Sequence, residues 1–346
     1  MRWIKQLDSE RIIHSFKTAF ACLIGFAITK YLHVNFDQWL IITILVVMCA
    51  QINVGSVLQK SYMRFVGTLV GSLLAAIVLE LFGANPIAIA VALGISAFLF
   101  SYIATGQTYY SDAGTLGAVT VAIILISYQP TLLIAGSRFF EISLGILIAT
   151  LVSQFIFPIH ARRHLRILQA NTIRQLRAYY LATFLTDQTE NEGYEELDEA
   201  IAKSLATQRK LATDAKREPI GTFNIIHFKQ LLTSEKEILR SISYMHHAYK
   251  MSPNSKKLFS SMDFLHDFHD KVCDALQEVA TCIEKREPAK SRVILPDLQL
   301  VKNTIGISSA HFQPNDMTYA NTFLFCTEVL ITQMKKLVVL VTEINT

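Results

Sequence analysis

The sequence predicts an all-α protein: a six-transmembrane-helix membrane domain built as two inverted three-helix repeats, followed by a cytoplasmic helical bundle. Three observations predict it. The first is a division of charge. The 144 residues from Thr18 to Ala161 hold eight charged side chains, namely Lys30, Asp37, Lys60, Arg64, Glu80, Asp112, Arg138 and Glu141. The 185 residues from Arg162 onward hold 24 Lys/Arg and 22 Asp/Glu. The first composition suits hydrocarbon and the second a water-soluble domain. The second observation is a set of six apolar stretches of spanning length, and the third is a short motif that recurs in the third and sixth of them. The domain limits that follow are an interfacial amphipathic helix at 1–14, the membrane domain at 15–158 and the cytoplasmic domain at 159–346.

Taken in order, the chain opens on MRWIKQLDSERIIHSFKTAF. Charges run through its first 17 residues and no cleavage site follows, unlike a signal peptide. Trp3, Ile4 and Leu7 share one helix face, which Arg11 and His14 extend with polar groups, so a short surface helix is expected. Six spans follow at 16–34, 38–55, 65–83, 86–105, 112–129 and 138–157, each near the roughly 20 apolar residues a bilayer needs. Lys17 and Lys30 flank the first span and are expected to snorkel to the interfaces. FGANP (82–86) divides the third span from the fourth, because Gly and Asn end helices and Pro starts them. QP (129–130) divides the fifth from the sixth.

Orientation follows the basic residues. With six spans, Arg2, Lys5, Arg11 and Lys17 share one side with Lys60 and Arg64, and with Arg162, Arg163, Arg166, Arg174 and Arg177. The other side has Lys30 and Arg138. Both termini are therefore expected in the cytoplasm. The net charge of +4 gathers where the chain leaves the membrane, which speaks for topology rather than nucleic acid. The five cysteines show no paired spacing, as suits a reducing compartment.

The recurring motif is RFVGTLVGSLLA (64–75) against RFFEISLGILIA (138–149), with Arg, Phe, Gly, Leu and Ala matched at an offset of 74. Each copy opens the third span of a three-span group. Three is odd, so the second group would lie inverted, a common build for transporters with sites at the repeat interface. Gly67, Gly71 and Ala75 recur at four-residue spacing, as do Gly145 and Ala149. Such spacing lets helices approach closely, so these residues are read as packing. Arg64 is open to two readings, a lipid-facing anchor or a cationic site. Arg138 stands on the side that normally lacks positive charge, which favours a site. Together they suggest cations at the two mouths of an anion pathway, since the guanidinium fork matches a carboxylate. Glu141, on the face of Arg138, is its counter-charge or a protonatable gate. Asp112 is a helix cap or a second group for proton coupling.

Beyond the membrane domain, helices are expected near 160–187 and 194–217. Apolar stripes at 225–249, 258–283 and 323–344 mark three more, with EGY, REPIG, SPNS and KREPAK as breaks. Asp263, His266, Asp267 and Asp270 lie close to one face, with His246 and His247 elsewhere. Metal sites in bundles draw ligands from several helices, so this group is read as a solvated acidic face, with no metal and no cofactor expected. No P-loop, GxSxG, HExxH or CxxC is present, so an enzyme is not expected.

The stretch KSYMRFVGTLVGSLLA, following a second span that opens WLIITILVVM, resembles the fusaric acid resistance / aromatic acid exporter family, to which the plant aluminium-activated malate transporters are distantly related. The resemblance covers about residues 10–160 and extends to the trailing domain in general form. Where many members have a Pro-Gly type break, this chain has AQINVGS (50–56). The resemblance implies export or conduction of organic anions, especially aromatic carboxylates, by a homodimer. It makes Arg64 the basic residue of the motif, with Gly67, Thr68 and Gly71 its packing part. The expected function is therefore proton-driven export of organic anions across the cell inner membrane. A passive organic-anion channel is the first rival, and a membrane-anchored regulatory scaffold acting through its bundle is the second. The expected partners are the anion, membrane lipid, a second copy of the chain and a periplasmic adaptor, with no nucleic acid.

Overall fold

The computed structural model describes residues 9–31, 38–49, 51–106, 109–127, 130–184, 191–219, 223–251, 263–299, 302–303 and 314–345. Among them all regular structure is helical. The chain forms two compact units, residues 1–161 with 217–221, and residues 162–216 with 222–346.

The first unit contains α1 (Ser9–Tyr31), α2 (Trp39–Met48), α3 (Val54–Phe82), α4 (Pro86–Thr105), α5 (Ser111–Leu125) and α6 (Leu132–Phe155). Residues 1–8 of the expected surface helix lie outside the described residues, and from Ser9 the chain is already in α1. Helices α1, α3, α4 and α6 are long and apolar enough to cross a membrane. Helix α2 has 10 residues and α5 has 15. At about 1.5 Å per residue they reach about 15 and 22 Å, short of a hydrocarbon core of about 30 Å.

The break after α2 comes earlier than its apolar run suggests. The helix stops at Met48, and Asn53, in an extended conformation, starts α3. The segment expected as a loop carrying Lys60 and Arg64 is thus the first part of a 29-residue helix. The break at 82–86 forms as expected. Gly83 takes φ 59° at the end of α3, and the Asn85 carboxamide oxygen accepts from the amides of Ile87 and Ala88 ahead of Pro86. Thr131 caps α6 through the Ile134 amide.

Helix directions follow from the contacts. Gly25 faces Leu40 and Ile44 while His14 meets Met48, so α1 and α2 are antiparallel. Gly67 and Gly71 face 113–120, so α3 and α5 are parallel. Gly114 and Gly117 face Ala104 and Phe100, so α4 and α5 are antiparallel. Trp39 meets Arg138 and Thr43 meets Gly145, so α2 and α6 are parallel. Exchanging α1, α2, α3 for α4, α5, α6 maps the main packed pairs of this unit onto one another: α1/α2 onto α4/α5, α2/α6 onto α3/α5, α1/α6 onto α3/α4, α2/α3 onto α5/α6, and α3/α6 onto itself.

The correspondence reaches single atoms. A Cβ on Gly145 would stand 2.8 Å from the Leu40 carbonyl oxygen and 2.9 Å from the Thr43 Cβ. A Cβ on Gly71 would stand 2.7 Å from the Gly117 carbonyl oxygen and 3.1 Å from the Thr120 Cβ. Each glycine follows its arginine by seven residues, and each meets a carbonyl three residues before a threonine. The apolar cores divide in the same way. One joins α1, α2 and α6 around Leu40, Ile44 and Ile146, with Val57 from α3. The other joins α4, α5 and α3 around Phe100, Val121 and Leu79, with Ala135 from α6.

The second unit contains α7 (Ala161–Phe184, of which residue 161 falls in the first unit), α8 (Asn191–Arg217), α9 (Ile225–Met251), α10 (Asp263–Lys285) and α11 (Pro314–Asn345). The apolar stripes face inward: Phe228, Leu232, Ile242 and Met245 on α9, Val272, Leu276 and Val279 on α10, and Phe323, Leu330 and Met334 on α11 are buried. A polar network is buried with them. Gln208 on α8 donates to Thr172 at 2.9 Å and to the Glu235 carboxylate at 2.8 Å. Burial pushes the Glu235 carboxyl up to about 8, against the pull of the Gln208 donor. The folded chain therefore holds this proton up to about pH 8, whereas the unfolded chain releases it near 4.5. Between those values the folded state binds more protons, so this group's contribution to stability falls as pH rises through that window. Thermal melts of the full chain at about pH 5 and about pH 8.5 are expected to show a fall that Glu235→Gln reduces.

Candidate functional site

The site is built where α3 and α6 meet α2 inside the first unit. Arg64 lies ten residues into α3 and Arg138 six residues into α6. Both lie within their helices rather than at the helix starts, because α3 and α6 begin earlier than the apolar runs suggest. The two side chains converge on one turn of α2. Arg64 Nη2 donates to Thr43 Oγ1 at 3.2 Å, and the Arg138 guanidinium lies 5.9 Å from the centre of the Trp39 ring. Thr43 and Trp39 are four residues apart and share a helix face. The phenylalanines that follow the arginines also meet, with Phe65 and Phe139 ring centres 5.8 Å apart.

The two cations differ in their compensation. Arg138 Nη1 donates to Glu141 Oε2 at 3.0 Å, and Glu141 is 2% exposed. Among the described residues, Arg64 is 4% exposed, its Nε has no hydrogen-bond partner, and no carboxylate pairs with it. A buried guanidinium held only by a hydroxyl is electrostatically unfinished, since a desolvated charge costs several kcal/mol unless an opposite charge meets it. Arg64 is thus the less compensated of the two cations.

Glu141→Gln is expected to destabilise the chain by about 3 kcal/mol, because it removes the carboxylate that pairs with the Arg138 guanidinium. The double variant Arg138→Gln/Glu141→Gln should recover most of that loss. Thermal melts of the four proteins in a double-mutant cycle check this.

The other candidate residues fall as follows. Asp112 is exposed on the first turn of α5, where Tyr110 occupies the cap position without a side-chain bond. It is not the helix cap, and its charge complements the helix N-terminus. Thr68, Ala75 and Ala149 are buried, Gly67 packs against the Ala113 carbonyl, and Gly71 and Gly145 make the paired contacts described above. In the second unit, Asp267 pairs with Lys271 at 2.6 Å and Asp270 is exposed, while the side chains of Asp263 and His266 lie outside the described residues. His246 stacks on Tyr194 at 3.9 Å between ring centres. Among the described residues no three His, Cys, Asp or Glu side chains are placed to share a metal ion.

Sequence reasoning missed Lys17 and His14. Lys17 does not snorkel; it is 0% exposed, with Nζ donating to the Ser153 carbonyl at 3.3 Å. His14 is buried, with Nε2 3.0 Å from the Met48 carbonyl oxygen. Their three-residue spacing, which puts both on one face of α1, was the available signal.

Comparison with known proteins bears on this arrangement. Inner membrane protein YeeA of Escherichia coli (strain K12) is 28% identical over 208 residues, covering 60% of this chain and 58% of that protein. The chain's match therefore spans less than two thirds of that relative's length. The pattern of the fusaric acid resistance protein family matches residues 11–290. Four helices among the described residues that are long and apolar enough to cross a membrane agree with a match across most of the sequence, and the chain is a multi-pass membrane protein that belongs to the fusaric acid resistance protein family.

Proposed function

We propose that the chain is an inner-membrane transporter that exports organic anions, with aromatic carboxylates as its substrate class. Family membership supports transport or efflux, and the relative's description as an inner membrane protein supports the location. One observation carries the substrate class. Arginines from matching positions of two helix groups converge on one turn of α2, and among the described residues Arg64 has no carboxylate partner. A guanidinium fork in a low-dielectric setting favours a carboxylate. Trp39 beside Arg138 and the packed Phe65/Phe139 pair supply ring faces for an aromatic acid.

In this reading all six helices of the first unit cross the bilayer. The antiparallel pairs fit that topology, and the exchange symmetry of the contacts fits an inverted repeat. Helices α2 and α5, too short to span by themselves, are those packed against α6 and α3, the helices that carry the arginines. Short helices at depth are tolerated where neighbouring protein covers their ends. The basic residues put both termini in the cytoplasm, lipid or a second copy covers the apolar outer face of α4, and the second unit serves a regulatory role. Glu141 is the group for proton coupling, because its protonation would release Arg138 to the anion.

The test is efflux of labelled benzoate from proteoliposomes with and without a pH gradient. An exporter of this kind accelerates several-fold when the gradient is imposed, and Glu141→Gln abolishes the acceleration. Equal rates with and without the gradient would replace proton-driven export with passive conduction.

A further inference from the structure

Among the described residues of the first unit, Lys17 is, beside Arg64, a buried cation without a carboxylate partner. Among the described residues its bond is to the Ser153 carbonyl, and no ion pair reaches it. Lys17 lies on α1 and Arg64 on α3, and both helices pack against α6. Polar groups connect them. Ser153 precedes the end of α6, with Thr150 one turn earlier on the same face. Thr150 Oγ1 donates to Ser61 Oγ at 3.0 Å, and Ser61 is three residues before Arg64 on α3. Two atoms on this seam are buried without a hydrogen-bond partner, Ser153 Oγ on a residue 1% exposed and Arg64 Nε. Unsatisfied polar atoms cost about 1–3 kcal/mol each when buried, and two on one seam beside two uncompensated cations point to a ligand that meets them.

We propose that Lys17 and Arg64 form a two-point carboxylate site along the α1/α3/α6 seam, with Lys17 setting the affinity for the anion. The inference rests on the anion-transport reading above. The ammonium supplies the positive charge at one end and the guanidinium the fork at the other, while the seam hydroxyls donate between them.

The experiment uses the full chain in proteoliposomes, with labelled benzoate as the probe and the variants Lys17→Met and Lys17→Arg. Lys17→Met is expected to raise KM about tenfold or more, the loss of one charge-assisted hydrogen bond. It should leave the maximal rate within about twofold and shift the rise in melting temperature that benzoate gives the wild type to about tenfold higher benzoate. Without benzoate, Lys17→Met should melt at or above the wild-type temperature, because it removes a buried uncompensated charge. Lys17→Arg should restore most of the affinity. A wild-type KM and benzoate response in Lys17→Met would overturn the site. A lower melting temperature without benzoate in both variants would make Lys17 a structural residue and also overturn it. Wild-type protein with neither benzoate flux nor a benzoate shift would overturn the transport reading itself, and this inference with it.

Discussion

Arg64→Ala is expected to lower benzoate flux at least about thirtyfold, the effect of removing a buried charge worth 2 kcal/mol or more to its partner. The melting temperature of the empty protein should change little or rise. Among the described residues, Arg64 is matched by the Thr43 hydroxyl and no carboxylate, so its removal leaves none of them as an unpaired buried negative charge. Arg138→Ala behaves differently, because it removes the guanidinium paired with the buried Glu141 carboxylate and destabilises the fold as well as the pathway. Arg64→Lys keeps the charge and loses the planar fork, so an intermediate flux is expected. Measuring flux and melting temperature on the same preparations separates the two arginines. If Arg64→Ala carries benzoate at the wild-type rate, Arg64 is a packing or anchoring residue.

The second large effect is on assembly. Gly71→Ala and Gly145→Ala are each expected to destabilise the chain by about 1–3 kcal/mol, because the added methyl must displace backbone rather than a flexible side chain. Its contacts would be carbonyl oxygens at 2.7 and 2.8 Å. Gly94→Ala and Gly136→Ala are the controls. Both lie within helices and have nothing within 4 Å of an added Cβ, so each should stabilise by about 0.5–1 kcal/mol through lower backbone entropy in the unfolded chain. Thermal melts in detergent test all four. Similar losses for Gly71 and Gly145 would agree with the matching contacts of α3 with α5 and α6 with α2. A large loss for one and none for the other would mean the correspondence does not extend to energetics.

Much of the helical order was legible in the sequence, because turn and cap chemistry is local. The α3/α4 break is set by Gly83, Asn85 and Pro86 within four residues. The α2/α3 break was misread for the same kind of reason. An apolar run continues past Met48, and a loop that ends at Asn53 without a Pro or Gly has little local signature. Placing Lys60 and Arg64 in a loop followed from counting charges, whereas a helix of 29 residues can hold them within its length. The recurring Arg-Phe motif identified equivalent positions, but not the meeting of Phe65 with Phe139 or of both arginines with α2. Those contacts join residues far apart in sequence. Lys17 was read as an interfacial lysine because a charge near a span end usually snorkels. Its burial comes from α6 packing beside α1, with the Ser153 carbonyl as its acceptor.

The central claim is that this chain moves organic anions across a membrane. The most direct measurement is uptake of labelled benzoate by vesicles reconstituted with the purified full chain, against protein-free vesicles of the same lipid. Saturable uptake well above the protein-free rate, inhibited by unlabelled aromatic carboxylates and not by uncharged benzamide, is the predicted result. Uptake no faster than through protein-free lipid, with the protein folded and correctly inserted, would contradict it.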